Sequence, residues 1–168
     1  RAYFNNQDYK PRPLGELFSF AALYHDVGKP ATRSESGNEI QFIDHELRSA
    51  EMAAARAREL ALSNHEIDFI RMVIRNHMLI HPLVKQTNLD VREAAYHYYQ
   101  STGSAGVADC LFSLADLLST YEENMNLARW EAGVRIACSF LDIWIHHYQE
   151  VIDPVLLLDG EEIKKTFN

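Results

Sequence analysis

The stretch that most constrains this chain is Ala21-Ala22-Leu23-Tyr24-His25-Asp26-Val27-Gly28-Lys29-Pro30. An apolar run stops abruptly at a histidine and an aspartate, followed by Gly-Lys-Pro. Leu17, Phe18, Ala21, Ala22 and Tyr24 recur close to one stripe, which predicts a helix over 14–27. Gly28 suits a helix C′ position, Lys29 suits the negative helix end, and Pro30 forbids continuation. His25 and Asp26 are therefore expected in the last turn of a mostly buried helix. Buried polar groups need partners, so the pair is either a solvated helix end or one part of a larger polar cluster.

The rest of the chain reads as helices. From Asp44, an expected N-cap, Leu47, Ala50, Ala53, Ala54, Ala57 and Leu60 recur at three- and four-residue spacing. This places His45 in a first turn, where a solvent-facing side chain and a site ligand are equally natural. Ser63-Asn64-His65-Glu66 is a capping-box sequence. The helix that it opens carries Ile67, Ile70, Val73 and Ile74 on one stripe, and His77 continues it. His81 follows four residues later, just before Pro82, and shares that face if the helix persists. His65, at the cap, is expected in solvent.

Asp90 caps a further expected helix, whose Tyr96-His97-Tyr98-Tyr99 lacks basic interleaving and reads as packing surface. The segment from Val107 to Leu118 is apolar almost all round and so is expected to be buried. Asp109 and Asp116 lie seven residues apart on it, and a mid-helix Asp in such a setting demands a cation or a hydrogen-bond partner. A long amphipathic helix over 126–150 reads as structural, with His146 and His147 at its surface. The segments 1–13 and 30–43 read as loops, and 155–163 as a connector entering another helix.

Composition narrows the class. At 168 residues the chain is long enough for one domain with a sizeable core. Its net charge of −8 argues against a free-standing nucleic-acid binder. Cys110 and Cys138 both sit in apolar helical patterns without a C-x-x-C spacing, as expected of buried free thiols in a reducing cytoplasm. Apolar runs are all too short to span a membrane. The chain begins at Arg1, without an initiator Met, and is expected to be a single domain over 1–168 cut from a longer protein.

His25-Asp26-Val27-Gly28-Lys29-Pro30, with Ala31-Thr32-Arg33 and later Phe42-Ile43-Asp44-His45-Glu46, resembles the HD superfamily of metal-dependent phosphohydrolases. More narrowly, it is similar to the HD domain of bacterial tRNA nucleotidyltransferases, the CCA-adding enzymes and their poly(A)-polymerase relatives. The resemblance runs from about Leu17 to about Asn168. It implies an all-α HD-domain helical bundle with ligands drawn inward from several helices. Carried over, the metal-binding residues are His25, Asp26, His45, His77 and Asp116, with His81 close by. Mixed imidazole and carboxylate donors suit Mn²⁺, Fe²⁺, Co²⁺, Ni²⁺ or Zn²⁺, with Mg²⁺ a further candidate, better than Ca²⁺.

Catalytic roles then fall to Asp26, to Lys29 as a point charge for substrate phosphate, and to Arg33 as a second cation. A solvated loop cation is the competing reading for both, and for Arg33 the stronger one. Two departures from the family pattern stand out. The superfamily has a histidine on a helix upstream of the His-Asp pair, and none precedes His25 here. Asp44 stands where relatives usually have Gly.

Two functions remain open at this stage. One is a phosphohydrolase acting on phosphate mono- or diesters, including nucleotides, 2′,3′-cyclic nucleotides or RNA ends. The other is an inactive helical support for a neighbouring nucleotidyltransferase head, with tRNA as partner through the parent protein. Nucleotidyl transfer itself does not reside here, because no Gly-Ser followed by paired acidic residues occurs.

Overall fold

The computed structural model describes residues 12–37, 39–119, 126–154 and 164. Most of the loop expected over 1–13, and the connector and helix start expected over 155–163, lie outside them. The described chain is an all-α bundle with one small hairpin. Helix α1 runs Leu14–Tyr24, and a short α2 runs Lys29–Thr32. Strands β1 (Arg33–Ser36) and β2 (Glu39–Phe42) follow, then α3 (His45–Glu59), α4 (Asn64–Asn76) and the single turn α5 (Ile80–Leu83). Helix α6 (Val91–Thr102) leads through a 3-10 turn at Gly103–Ala105 into α7 (Gly106–Ser119). Helix α8 (Leu127–His146) and a π turn at Tyr148–Ile152 complete it. Among the described residues, no helix is long and apolar enough to cross a membrane.

The core has two lobes with α7 between them. One packs Leu14, Leu17 and Ala21 of α1 against the alanines of α3 and against Ile70, Val73 and Ile74 of α4. The alanine stripe lets α3 and α4 lie close together. The other lobe gathers Tyr98 and Tyr99 of α6 around Ile136, Ala137 and Phe140 of α8. Helix α7 gives Ala108 and Phe112 to the first lobe and Cys110 to the second. Leu47 and Leu60, expected on the buried stripe of α3, are instead exposed at its two ends. Cys138 also departs from expectation, since it is exposed while Cys110 is buried.

Capping sets the helix limits. Ser63 Oγ accepts from Glu66 N at 3.4 Å, and Ser63 N donates to Glu66 carboxylate at 2.6 Å, so the capping box is complete. Buried Glu66 also pairs with Arg12 at 3.3 Å. Asp90 accepts from the amides of Arg92 and Glu93. The segment 30–43, expected as a plain connector, pairs as an antiparallel hairpin with Arg33 opposite Phe42 and Ser36 opposite Glu39. Gly37, at φ +63°, supplies the left-handed turn that a two-residue connection needs.

Helix α3 ends in a Schellman arrangement: Ala61 N donates to Arg58 O and Leu62 N to Ala57 O. Its left-handed residue is Ala61, at φ 56°, where a Cβ is unfavourable. Ala61→Gly should therefore stabilise the protein by about 0.5–1 kcal/mol, read as a higher urea midpoint at unchanged m.

Asp109 is fully buried against Tyr98, whose hydroxyl lies 2.9 Å from both Gly106 O and Asp109 Oδ2. The hydroxyl has one proton for two acceptors. A protonated Asp109 resolves the count by donating to the hydroxyl oxygen while Tyr98 donates to Gly106. Burial pushes this carboxyl up to about 8 against the opposing hydrogen bond with Tyr98. Between its ordinary value near 4 and about 8, the folded protein holds a proton that the unfolded chain has lost. Stability must then fall as pH rises through that window. Asp109→Asn keeps the donor without the titration. Chemical denaturation should find the variant more stable than the parent at pH 7–8, by at least about 1 kcal/mol, with the gap closing towards pH 4.

Candidate metal centre

Five elements send side chains to one place beside α7. Helix α1 stops at Tyr24, three residues short of the expected end, and His25 to Gly28 form a tight turn. Gly28 is not the left-handed cap expected of it, since its φ is −80°. It is small for a different reason: a Cβ there would lie 2.7 Å from Ser49 N and 2.8 Å from His45 O. Gly28 N donates to the buried Ser49 hydroxyl at 2.9 Å. The turn bearing His25 and Asp26 thus rests directly on the first turns of α3, which bear His45.

Asp44 occupies the N-cap position of α3 in the left-handed conformation, φ 58°, without a side-chain capping bond. The capping role expected for its side chain is not realised. The left-handed geometry instead accounts for the suitability of Gly at this position. On the far side, α4 ends at Asn76 and His77 is its C-cap. Ser113 of α7 donates to His77 O at 2.8 Å, tying that helix end to α7.

Three histidines are held in the same way. His25 Nδ1 meets Ala22 O at 2.8 Å, His45 Nδ1 meets Phe42 O at 2.8 Å, and His77 Nδ1 meets Ile74 O at 2.6 Å. A carbonyl only accepts, so each Nδ1 carries the proton and each Nε2 is turned away from the carbonyl. His25 Nε2 lies 3.3 Å from Asp26 Oδ2 and 3.4 Å from Asp116 Oδ1. His45 Nε2 lies 3.3 Å from Asp26 Oδ1. His81 Nε2 lies 3.2 Å from the other Asp116 oxygen. The His77 ring sits edge-on to those of His25 and His45, at 5.2 Å and 5.4 Å between centroids. Ligating atoms of His25, Asp26 and His77 all lie within 4.8 Å of one another.

Burial alone would lower His25, but its bonds to Asp116 and Asp26 outweigh it and push the imidazole up to about 10. Burial would likewise raise Asp26, yet His25 and Lys29 hold it down at about 2. Asp116 is held well below the carboxylate range by His25 and His81, against its burial. His77 moves the other way, to about 4, through burial and the positive charge on His25. Two anionic carboxylates therefore share the imidazolium of His25, beside the neutral imidazole of His77.

The donor set fits a cation. Asp26 Oδ1, His45 Nε2 and His81 Nε2 are buried and make no well-formed hydrogen bond among the described residues, although each lies at ion-pair distance from a group of opposite type. With Nδ1 bonded to Phe42 O, His45 directs its Nε2 at a carboxylate oxygen of Asp26, 3.3 Å away. A cation held between such a nitrogen and such an oxygen satisfies both. Imidazole with carboxylate is the donor chemistry of a transition metal, and Nδ1–H to backbone carbonyl is how such imidazoles are oriented.

The HD domain family matches this chain over residues 10–121, well over half its length. The chain belongs to the HD domain family. No curated protein matches it. HD domains are metal-dependent phosphohydrolases that bind divalent ions, and this one gathers its polar residues accordingly. His25, Asp26, His45, His77 and Asp116 all reach the cluster, although Asp116 is remote in sequence. His81 joins them from α5. The His77-to-His81 spacing pointed to it, but the turn between α4 and α5 hid its direction.

Lys29 Nζ is 2.6 Å from Asp26 Oδ2 and lies over the Phe42 ring, 5.9 Å from its centroid. Arg33 stands on β1 and pairs with Glu35 at 2.6 Å. His65 is exposed, as expected from its cap position. Asp109 serves Tyr98 and not the cluster.

The contact at Gly28 gives a test of how the HD domain positions Asp26. Gly28→Ala should destabilise by about 1–3 kcal/mol, because backbone lies in the way of the added methyl. It should also weaken Mn²⁺ binding, measured calorimetrically, although residue 28 offers no donor.

Proposed function

We propose that this chain hydrolyses phosphate esters at a divalent transition-metal centre held by His25, Asp26, His45, His77 and Asp116, joined by His81. The observation that carries the reading is the convergence of imidazole nitrogens and carboxylate oxygens from five elements, with Asp26 Oδ1, His45 Nε2 and His81 Nε2 buried at ion-pair distance but without a well-formed hydrogen bond. A divalent ion bound there supplies Lewis acidity toward a phosphoryl oxygen and toward water. The remaining work falls to the side chains. Asp26 stays ionised at neutral pH and keeps His25 and His45 oriented. Lys29, half-exposed at the mouth, can leave Asp26 to neutralise the substrate phosphate as a point charge. Arg33 would first have to give up Glu35, so Lys29 is the stronger catalytic candidate.

A cleft of about 170 Å³ opens beside His25 and Asp116 between Phe18 and Phe112, which gives a small ester access to the cluster. The likeness of residues 25–33 and 42–46 to the HD domain of tRNA nucleotidyltransferases favours a mono- or diester such as a 2′,3′-cyclic nucleotide or an RNA end. It also favours a setting beside a nucleotidyltransferase head.

The test is a thermal-shift series with Mn²⁺, Ni²⁺ and Co²⁺, paired with hydrolysis of p-nitrophenyl phosphate and a 2′,3′-cyclic nucleotide. The parent protein should gain several degrees with at least one metal and turn over one ester. Asp26→Asn should lose both responses. Lys29→Met should keep the metal shift and lose about 100-fold in rate. A parent protein blind to all three metals would sink the proposal.

A further inference from the structure

A second cavity lies on the other side of α5, away from the metal cluster. Its volume is about 400 Å³, within the usual range for small-molecule sites. Leu79, Leu83, Leu89 and Ala94 form an apolar floor of half-buried side chains over the second core lobe. Asp90 and Glu93, at the start of α6, stand among its walls, and His97 faces Glu93 at 4.0 Å. Gln86, Asn88 and Ser101 add neutral polar groups, and among the described residues no lysine or arginine lines it. The walls are therefore acidic over an apolar base. A phosphate ester is the wrong ligand for this cavity, so it is not an extension of the hydrolytic site. Its chemistry selects a positive head on an apolar body.

Position gives the cavity a purpose. Leu79 and Leu83 are four residues apart and share one face of the α5 turn. His81 lies between them in sequence and points the opposite way, to Asp116 at 3.2 Å. The segment is short: His81 N bonds to Met78 O, and Val84 N to Ile80 O. A body wedged against Leu79 and Leu83 presses on the backbone that aims His81.

We propose that this cavity binds a small amphipathic organic amine, and that its occupancy changes the metal affinity of the cluster through His81. The binding stands on the cavity alone. The coupling also rests on the metal reading of the cluster, so the two can fail separately.

Tryptamine and indole-3-acetate share an apolar body and differ in the sign of the head, which makes them suitable probes. Titration of isotope-labelled protein followed by NMR should show saturable tryptamine binding with shifts centred on residues 79–101. Indole-3-acetate should bind at least about tenfold more weakly. Leu83→Trp, which fills the cavity, should abolish tryptamine binding. Glu93→Gln, on an exposed wall that bears no load, should weaken it about three- to fivefold and reduce its salt dependence. Equal binding of both probes, no binding of either, or indifference to both substitutions would overturn the site. Mn²⁺ affinity measured with and without saturating tryptamine should differ at least about twofold, in either direction. Amine binding with unchanged Mn²⁺ affinity would remove the regulatory role. A protein that binds the amine but no metal would overturn the coupling and the phosphohydrolase reading while leaving the cavity assigned.

Discussion

Two carboxylates share one imidazolium at the meeting point of the bundle. Asp26 from the turn after α1 and Asp116 from α7 both face His25 Nε2, at 3.3 Å and 3.4 Å. Drawing two anions out of water is costly, and positive charge held beside them offsets that cost. His25 provides part of that charge and Lys29 more, from the open side. A divalent ion, of the kind HD domains bind, would answer the same electrostatic need.

Packing around that centre is tight where the cluster needs it. Gly28 against Ser49 and His45 fixes the His-Asp turn on α3, and Ser113 to His77 fixes the end of α4 on α7. Helix α7 belongs to both core lobes, so Asp116 sits on the element least able to move alone. The mouth is looser. Lys29 and the hairpin that follows it are partly or fully exposed, as a surface that admits substrate requires.

Much of this was legible in the residues themselves. The apolar stripes of α1 and α4 predicted helices and gave His77 its inward direction, and the capping box marked where α4 begins. Asp116 stood out because an acid in an apolar helix needs a partner. Asp109 gave the same signal for another reason, its neighbour Tyr98, and sequence alone did not separate the two. The hairpin was missed because Ser34, Ser36 and Gly37 read as turn formers without an apolar alternation around them. Gly28 was noticed for its freedom when its value lay in its size. Contacts across the fold set both outcomes, and local pattern does not report them.

His25, His45 and His77 each give their Nδ1 proton to the carbonyl three residues before them. For His25 and His77 that carbonyl belongs to the last turn of a helix, where it would otherwise lack a partner. The bond that ends the helix is thus the bond that aims the ring. Helix length and ring direction are one quantity in this protein. Adding a single residue within α1 or α4 would turn the terminal carbonyl about 100° around the axis and take the imidazole with it. The residue count of these two helices is set by the chemistry at their ends.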